Sequence, residues 1–191
     1  LHGLAILDLP KEAQVLRQRL GWLRKGLGEA WPEMTDAALM DRLEDWLLPW
    51  LNGVSDLSRV PAQSFVEGLR ALAPDDLQRK IDTLAPTHFA VPTGSSIAIR
   101  YEADDPVLAV RVQELFGLKT HPAIANGRLP LTLNLLSPAH RPIQITRDLP
   151  GFWSGSWSAV KADMRGRYPR HPWPDDPANA APTARAKPRG T

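Results

Sequence analysis

Apolar positions recur every third or fourth residue up to about residue 85, and beyond Pro86 they alternate. In residues 10–28, PKEAQVLRQRLGWLRKGLG, Val15, Leu16, Leu20, Leu23 and Leu27 share helical spacing. Pro10 suits a first helical turn, Glu12 favours the positive end of the helix dipole, and Gly28 suits the C-cap, with Gly21 a weak point inside. In WPEMTDAALMDRLEDWLLPWLNG, Thr35 or Asp36 caps a helix bearing Leu39, Leu43, Trp46 and Leu47, which Pro49 ends or bends. SDLSRVPAQSFVEGLRALAP predicts a further helix with Phe65, Leu69 and Leu72 on one face. Asp75 and Asp76 open a short one, DDLQRKIDTLAP, carrying Leu77, Ile81 and Leu84.

The second pattern has period two. THFAVP reads as a short strand, TGSS as a turn, and SSIAIRYE as a strand with Ile97, Ile99 and Tyr101 on one side. Ile99 is therefore expected inside and Arg100 outside. PVLAVR continues as a strand, and VQELFG reads as one or two helical turns at 112–116. LPLTLNLLSP and RPIQITRDL predict antiparallel neighbours across the turn SPAHR. GFWSGSWSAVKADMRGRY predicts a loop entering a helix, capped by Ser156 or Ser158, with Val160 and Met164 on one face. RYPRHPWP at 167–174 follows as a proline-stiffened strap, with Tyr168 and Trp173 as its anchors. From about Asp175 a Pro/Ala/Arg tail need not fold.

These elements predict an α+β fold: an N-terminal helical layer, then a small antiparallel β domain with a C-terminal helix and a Pro-rich strap. The expected divisions are a helical region at 1–85, a β-rich domain at 86–178 and a flexible basic tail at 179–191. Hydrophobic content of 43% supports a buried core, and 19 prolines imply short elements with fixed turns. The opening LHGLAILDLP lacks a methionine, a basic n-region and a cleavage site, which predicts a piece of a longer chain and no signal peptide. No apolar run reaches 18 residues, so no membrane partner is expected.

The chemistry is mostly excluded. The chain has no cysteine, which removes disulfides, thiol catalysis and cysteine metal sites and is compatible with a reducing compartment. GxxxxGK[ST], GxGxxG and HExxH are absent. His2, His88, His121, His140 and His171 are too scattered for a helical metal pair, so no metal or cofactor site is nominated. The pairs Asp75–Asp76, Asp104–Asp105 and Asp175–Asp176 read as a helix start, a turn and the head of the tail. GFWSG is GxxSG rather than the GxSxG of a nucleophile elbow, and shows no base. No catalytic residue is assigned.

Charge is uneven. Residues 1–140 carry 14 Lys/Arg against 17 Asp/Glu, a balance of −3, and residues 141–191 carry 9 against 4, a balance of +5. Trp22, Trp31, Trp46 and Trp50 read as packing residues of the helical half. In the basic half, Trp153 and Trp157 beside Arg147, Lys161, Arg165, Arg167 and Arg170 match what stacks bases and neutralises phosphates. The same residues also fit anchored rings beneath solvated arginines, and both readings stay open.

The ordered phrases LAPTHFAVPTGSSIAIRYE, PVLAVRVQELFGL, GRLPLTLNLLSPAHRPIQITRDLPGFWSGSW and VKADMRGRYPRHPWPDDP, preceded by LEDWLLPWLNG, resemble the C-terminal region of the HrpB family of bacterial ATP-dependent helicases, over roughly residues 30–178. This family belongs to the DEAH-box type of superfamily 2. The resemblance implies a cytoplasmic protein whose ATP, magnesium and catalytic residues belong to two RecA-like domains upstream, with none carried onto this chain. It implies a noncatalytic accessory module of a nucleic-acid helicase, RNA being the expected substrate. Its partners are then the upstream domains of the same chain and single-stranded RNA or DNA. The alternative is a structural or protein-interaction module of the same helicase.

Overall fold

The computed structural model of the chain describes residues 9–51, 53 and 59–185. The chain divides into two compact units between Pro86 and Thr87.

The first unit is helical. Helix α1 (Lys11–Leu27) buries Ala13, Leu16, Leu20 and Leu23 along the predicted stripe. Gly28 ends it at φ +96°, a conformation that a side chain disfavours, and its N–H donates to Arg24 O at 2.9 Å. Two arginines of α1 then fasten the returning loop. Arg24 donates to Trp31 O at 2.8 Å, and Arg17 to Met34 O at 2.8 Å and to Asp36 at 2.6 Å. Thr35 caps α2 (Asp36–Asp41) by accepting from Ala38 N.

The single helix expected to continue from here is broken. Arg42 leaves helical geometry at φ −112°, ψ 21°, and the chain resumes as α3 (Leu43–Trp46) and a 3-10 turn (Leu48–Trp50) that contains Pro49. The break lets Trp46 enter the core, where its indole N–H donates to Leu39 O at 2.9 Å. Helix α4 (Ala62–Ala71) buries Phe65 and Leu69, with Leu72 just beyond it. The start of that predicted run, 55–58, lies outside the described residues. The stretch after Asp75 is likewise two turns of helix rather than one element, α5 (Asp75–Gln78) and α6 (Ile81–Leu84).

Between α1 and α6 lies a charge that the apolar stripe concealed. Arg19 is 5% exposed. Its guanidinium donates to Ala85 O and Asp82 Oδ1, both at 2.5 Å. The hydrogen bond from Arg19 is the main reason that the Asp82 carboxyl is held below its ordinary pKa, with the charges of Arg19 and Arg70 adding to it. A carboxyl whose pKa is depressed on folding stabilises the fold above its unfolded pKa and ceases to do so as pH falls through the folded value. Stability of the first unit is therefore expected to fall on acidification below roughly pH 4. Asp82→Asn should flatten that acid limb in urea melts followed between pH 6 and 3.

The second unit is built on a five-stranded sheet. Its strands are β1 (His88–Ala90), β2 (Ser96–Arg100), β3 (Val107–Arg111), β6 (Thr132–Leu136) and β7 (Pro142–Thr146), in the order β1-β2-β3-β6-β7. A two-residue pair, β4 (Ala123–Ile124) and β5 (Leu129–Pro130), lies between β3 and β6 in sequence. The fold class is α+β, as expected, with helices beside a mostly antiparallel sheet. One pairing departs from the expectation: β3 and β6 run parallel, from Val107↔Thr132 to Arg111↔Leu136. Because side chains alternate along a strand whatever its partner's direction, the pattern carries no trace of this. The register is the expected one. Ile99 and Tyr101 are buried and Arg100 is exposed, while Leu108, Val110, Leu133 and Leu135 face the same core.

The helical insertion is present as a 3-10 turn (Val112–Leu115). It buries Glu114, which accepts from Arg111 Nε at 2.9 Å and Thr93 Oγ1 at 3.1 Å. After β7, the stretch expected as a loop instead forms α7 (Leu149–Ser154). Asp148 caps it by accepting from Gly151 N at 3.0 Å, and Pro150 sits in its first turn. Helix α8 (Trp157–Arg167) follows. Ser156 stands at its N-cap but makes no side-chain capping bond.

Candidate nucleic-acid interface

Helix α8 has two faces. Trp157 and Met164 are buried, with Trp157 2% exposed. Around Trp157 stand Phe116 at 5.5 Å, Trp153 at 5.5 Å, Phe152 at 6.1 Å and Trp173 at 6.1 Å between ring centroids. The Trp153–Trp157 pair is edge-to-face at 88°, across α7 and α8. The indole N–H groups are spent on carbonyls: Trp157 donates to Pro174 O at 2.9 Å and Trp153 to Leu118 O at 3.0 Å. Trp153 and Trp157 are therefore packing residues and not the stacking platform that their spacing suggested. Trp153 is 8% exposed and Trp157 2%, which leaves no open ring face for a base to stack on.

The strap is held by the same cluster. Trp173 is half-buried and donates from its indole to Tyr168 O at 2.9 Å, and the Tyr168 hydroxyl reaches Ser137 Oγ at 3.2 Å. The chain beyond Asp175, expected to need no fold, is docked as far as Thr183. Gly117 N donates to Pro177 O at 2.9 Å and Thr183 N to Gln113 O at 3.1 Å. These bonds use backbone groups of the 112–117 turn, which composition does not reveal. Residues 186–191 lie outside the described residues.

The opposite side of α8 and the strap carry the cations, and the structure sorts them. Arg147 pairs with Asp105 at 3.0 Å, and Arg167 with Asp163 at 3.0 Å, one helical turn away. Lys161 pairs with Asp175; the hydrogen bond from Lys161, then its charge, holds the Asp175 carboxyl below its ordinary pKa, with help from Arg165. Arg165 and Arg170 are exposed and make no ion pair with a described residue. Next to Arg170, His171 is held below its ordinary imidazole pKa by burial and by the charges of Arg111 and Arg170, and its Nδ1 lies 3.3 Å from Gln113 Nε2. Its neutral form suits that contact.

The remaining sequence candidates have structural partners. Asp75 accepts from Gln78, Asp76 pairs with Lys80, and Asp176 accepts from Asn179. Ser154 Oγ donates to carbonyls of its own helix, Pro150 O at 3.1 Å and Gly151 O at 3.3 Å. Beside α7 is an open cleft of about 440 Å³, lined by Lys119, Trp153, Asp175 and Asp176 among others, in which the one shifted group is a carboxyl made more acidic. That is the wrong direction for a general base near neutrality. Among the described residues no group of three or more His, Asp or Glu could hold a metal ion. No helix among them is long and apolar enough to cross a membrane.

Comparison with known proteins places this geometry. The family described as ATP-dependent helicase C-terminal matches residues 46–177. The chain is 51% identical over 187 residues to "ATP-dependent RNA helicase HrpB" of Escherichia coli K12, covering 97% of this chain and 23% of that protein. Two solved structures are similar. The crystal structure of the E. coli DExH-box NTPase HrpB matches with TM-score 0.83 at 50% identity, over 93% of this chain and 22% of that one. That of the E. coli DEAH/RHA helicase HrpB matches with TM-score 0.72 at 46% identity, over 90% and 22%. The chain thus spans about a quarter of the length of the relatives it matches.

Proposed function

The chain belongs to the family of ATP-dependent helicase C-terminal regions, and we propose from this that it is a noncatalytic accessory module whose α8 end and strap touch the backbone of a single nucleic-acid strand. The observation that carries this reading is the pair of exposed arginines Arg165 and Arg170, which make no ion pair with a described residue, with Arg167 between them in sequence. Phosphate binding needs surface charge and not core volume, and the carboxylates near these side chains, Asp163 paired with Arg167 and Asp175 within the field of Arg165, are exposed and so weak competitors. With the tryptophans buried, the contact reads phosphates and is indifferent to base identity. RNA is the proposed strand, because the E. coli relative is an RNA helicase. ATP, magnesium and hydrolysis are assigned to the upstream helicase portion, and the whole protein to the cytoplasm.

The experiment is a titration of labelled single-stranded RNA and DNA at several salt concentrations, with this chain and with Arg165→Ala/Arg167→Ala/Arg170→Ala. Each lost phosphate contact lowers the logarithmic salt slope by about 0.7, so the triple variant should lose about 2. Equal affinity and equal slope, with both proteins folded, would transfer the assignment to a second reading, a structural or protein-interaction module. That reading is favoured by the engagement of Arg147, Lys161 and Arg167 with carboxylates of their own unit.

A further inference from the structure

A group of exposed apolar side chains lies in the first unit, on and near the 3-10 turn Leu48–Trp50. Leu48 is 51% exposed, Met40 38% and Trp50 37%, and Pro49 is exposed between two of them. The 3-10 turn that carries Leu48, Pro49 and Trp50 is fixed. Trp50 N donates to Leu47 O at 3.0 Å and Leu51 N to Leu48 O at 3.1 Å. The Trp50 ring edge rests on α4 at Gly68, so close that a Cβ there would meet Trp50 Cδ1 at 3.2 Å. Apolar residues held out in a rigid turn cost little further entropy when covered, and a contiguous group of them marks an interaction surface.

We propose that this turn is the seat on which the upstream helicase portion of the same polypeptide docks. Two observations choose that occupant. The relatives are about four times as long as this chain, so most of the polypeptide of such a protein lies outside it. The turn offers three apolar side chains, far below the roughly 20–30 residues a side of a free-standing interface. A partner on the same chain is present at an effective concentration that makes a small patch sufficient. The rim fixes the partner's chemistry. Asp41 and Glu44 are exposed and make no ion pair with a described residue, whereas neighbouring Asp45 is paired with Arg42. The docking surface therefore offers an apolar hollow flanked by Lys or Arg.

The test places a cysteine at Leu48, an exposed position in a chain with none of its own. Maleimide labelling at residue 48 is followed by peptide mass spectrometry in this chain at micromolar concentration and in the full helicase polypeptide that contains it. Circular dichroism confirms that both are folded. Rapid labelling in the short chain and about tenfold slower labelling in the long one are expected, as is partial recovery of the rate when Glu44→Arg is added to the long one. Equal rates in the two would overturn the proposal. So would slow labelling in the short chain: if dilution restores the rate a second copy covers the turn, and if it does not the chain's own residues do. The result is independent of whether α8 binds nucleic acid.

Discussion

Trp157→Ala is expected to lower the stability of the second unit by about 3–5 kcal/mol, the range for truncating a fully buried large aromatic. The side chain is 2% exposed and touches rings from three parts of the chain: Phe116 after β3, Phe152 and Trp153 in α7, and Trp173 in the strap. Its loss opens a cavity that none of these can fill without leaving its own place. It also strips Pro174 O of a hydrogen bond that anchors the strap. Urea melts, with hydrogen exchange resolved to residues 87–185, measure the loss and locate it. Trp157→Phe should restore part of it. Trp173→Ala should cost less than Trp157→Ala, because Trp173 is only half-buried. An unchanged melt for Trp157→Ala would mean that the aromatic cluster is not the core of this unit.

Gly68→Ala should be the most damaging single-methyl change in the first unit, lowering its stability by about 2–3 kcal/mol through overpacking. A Cβ at this position would stand 1.9 Å from Trp46 O and 3.0 Å from Trp46 C. Those are backbone atoms, so no rotamer change relieves the overlap; α4 must move off α3. Alanine is the better helix former by roughly 1 kcal/mol, which offsets only part of that. Gly166→Ala is the matched control. It is a helical glycine too, in α8, and its added Cβ would meet nothing within 4 Å. There the propensity gain stands alone, and the variant should be more stable by roughly 0.5–1 kcal/mol. Thermal melts of the two variants should therefore shift in opposite directions.

Much of this fold is written in periodicity. The stripe of α1, the Thr35 cap, the Gly28 stop and the inward Ile99 with outward Arg100 are local decisions, and each is made by residues within one turn or one pleat. Where the reading failed, the deciding contact was distant or hidden by composition. Helix α7 was legible in principle, since Asp148 and Pro150 are start signals, but two glycines and two serines around Phe152 and Trp153 outweighed them. The tryptophans were legible as aromatic and not as buried, because the ring that lies against both, Phe116, is some forty positions earlier. The cations around α8 and the strap are visible in the sequence as a group. Their sorting into paired and free is not, because Asp105 reaches Arg147 and Asp175 reaches Lys161 only once the chain is folded. The Asp163–Arg167 pair, four apart on a helix, is by contrast a local spacing that the sequence itself displays.

The parallel seam between β3 and β6 sets an order of events in time. An antiparallel neighbour can be reached by a tight turn, as β6 reaches β7, but a parallel one requires the chain to travel the length of the strand and come back. Here residues 112–131 make that return, and β3 and β6 cannot meet until it is complete. Closing such a loop spends entropy before any contact repays it, so topology of this kind slows the folding rate. The first unit has no strand among its described residues, and the hydrogen bonds inside its helices close between residues four apart. After a jump out of denaturant, amides of α1 and α4 should acquire protection ahead of those in β3 and β6. During that lag the apolar faces of Leu108, Val110, Leu133 and Leu135 stand open to other chains, so dilution and lower temperature should raise the yield of refolded protein.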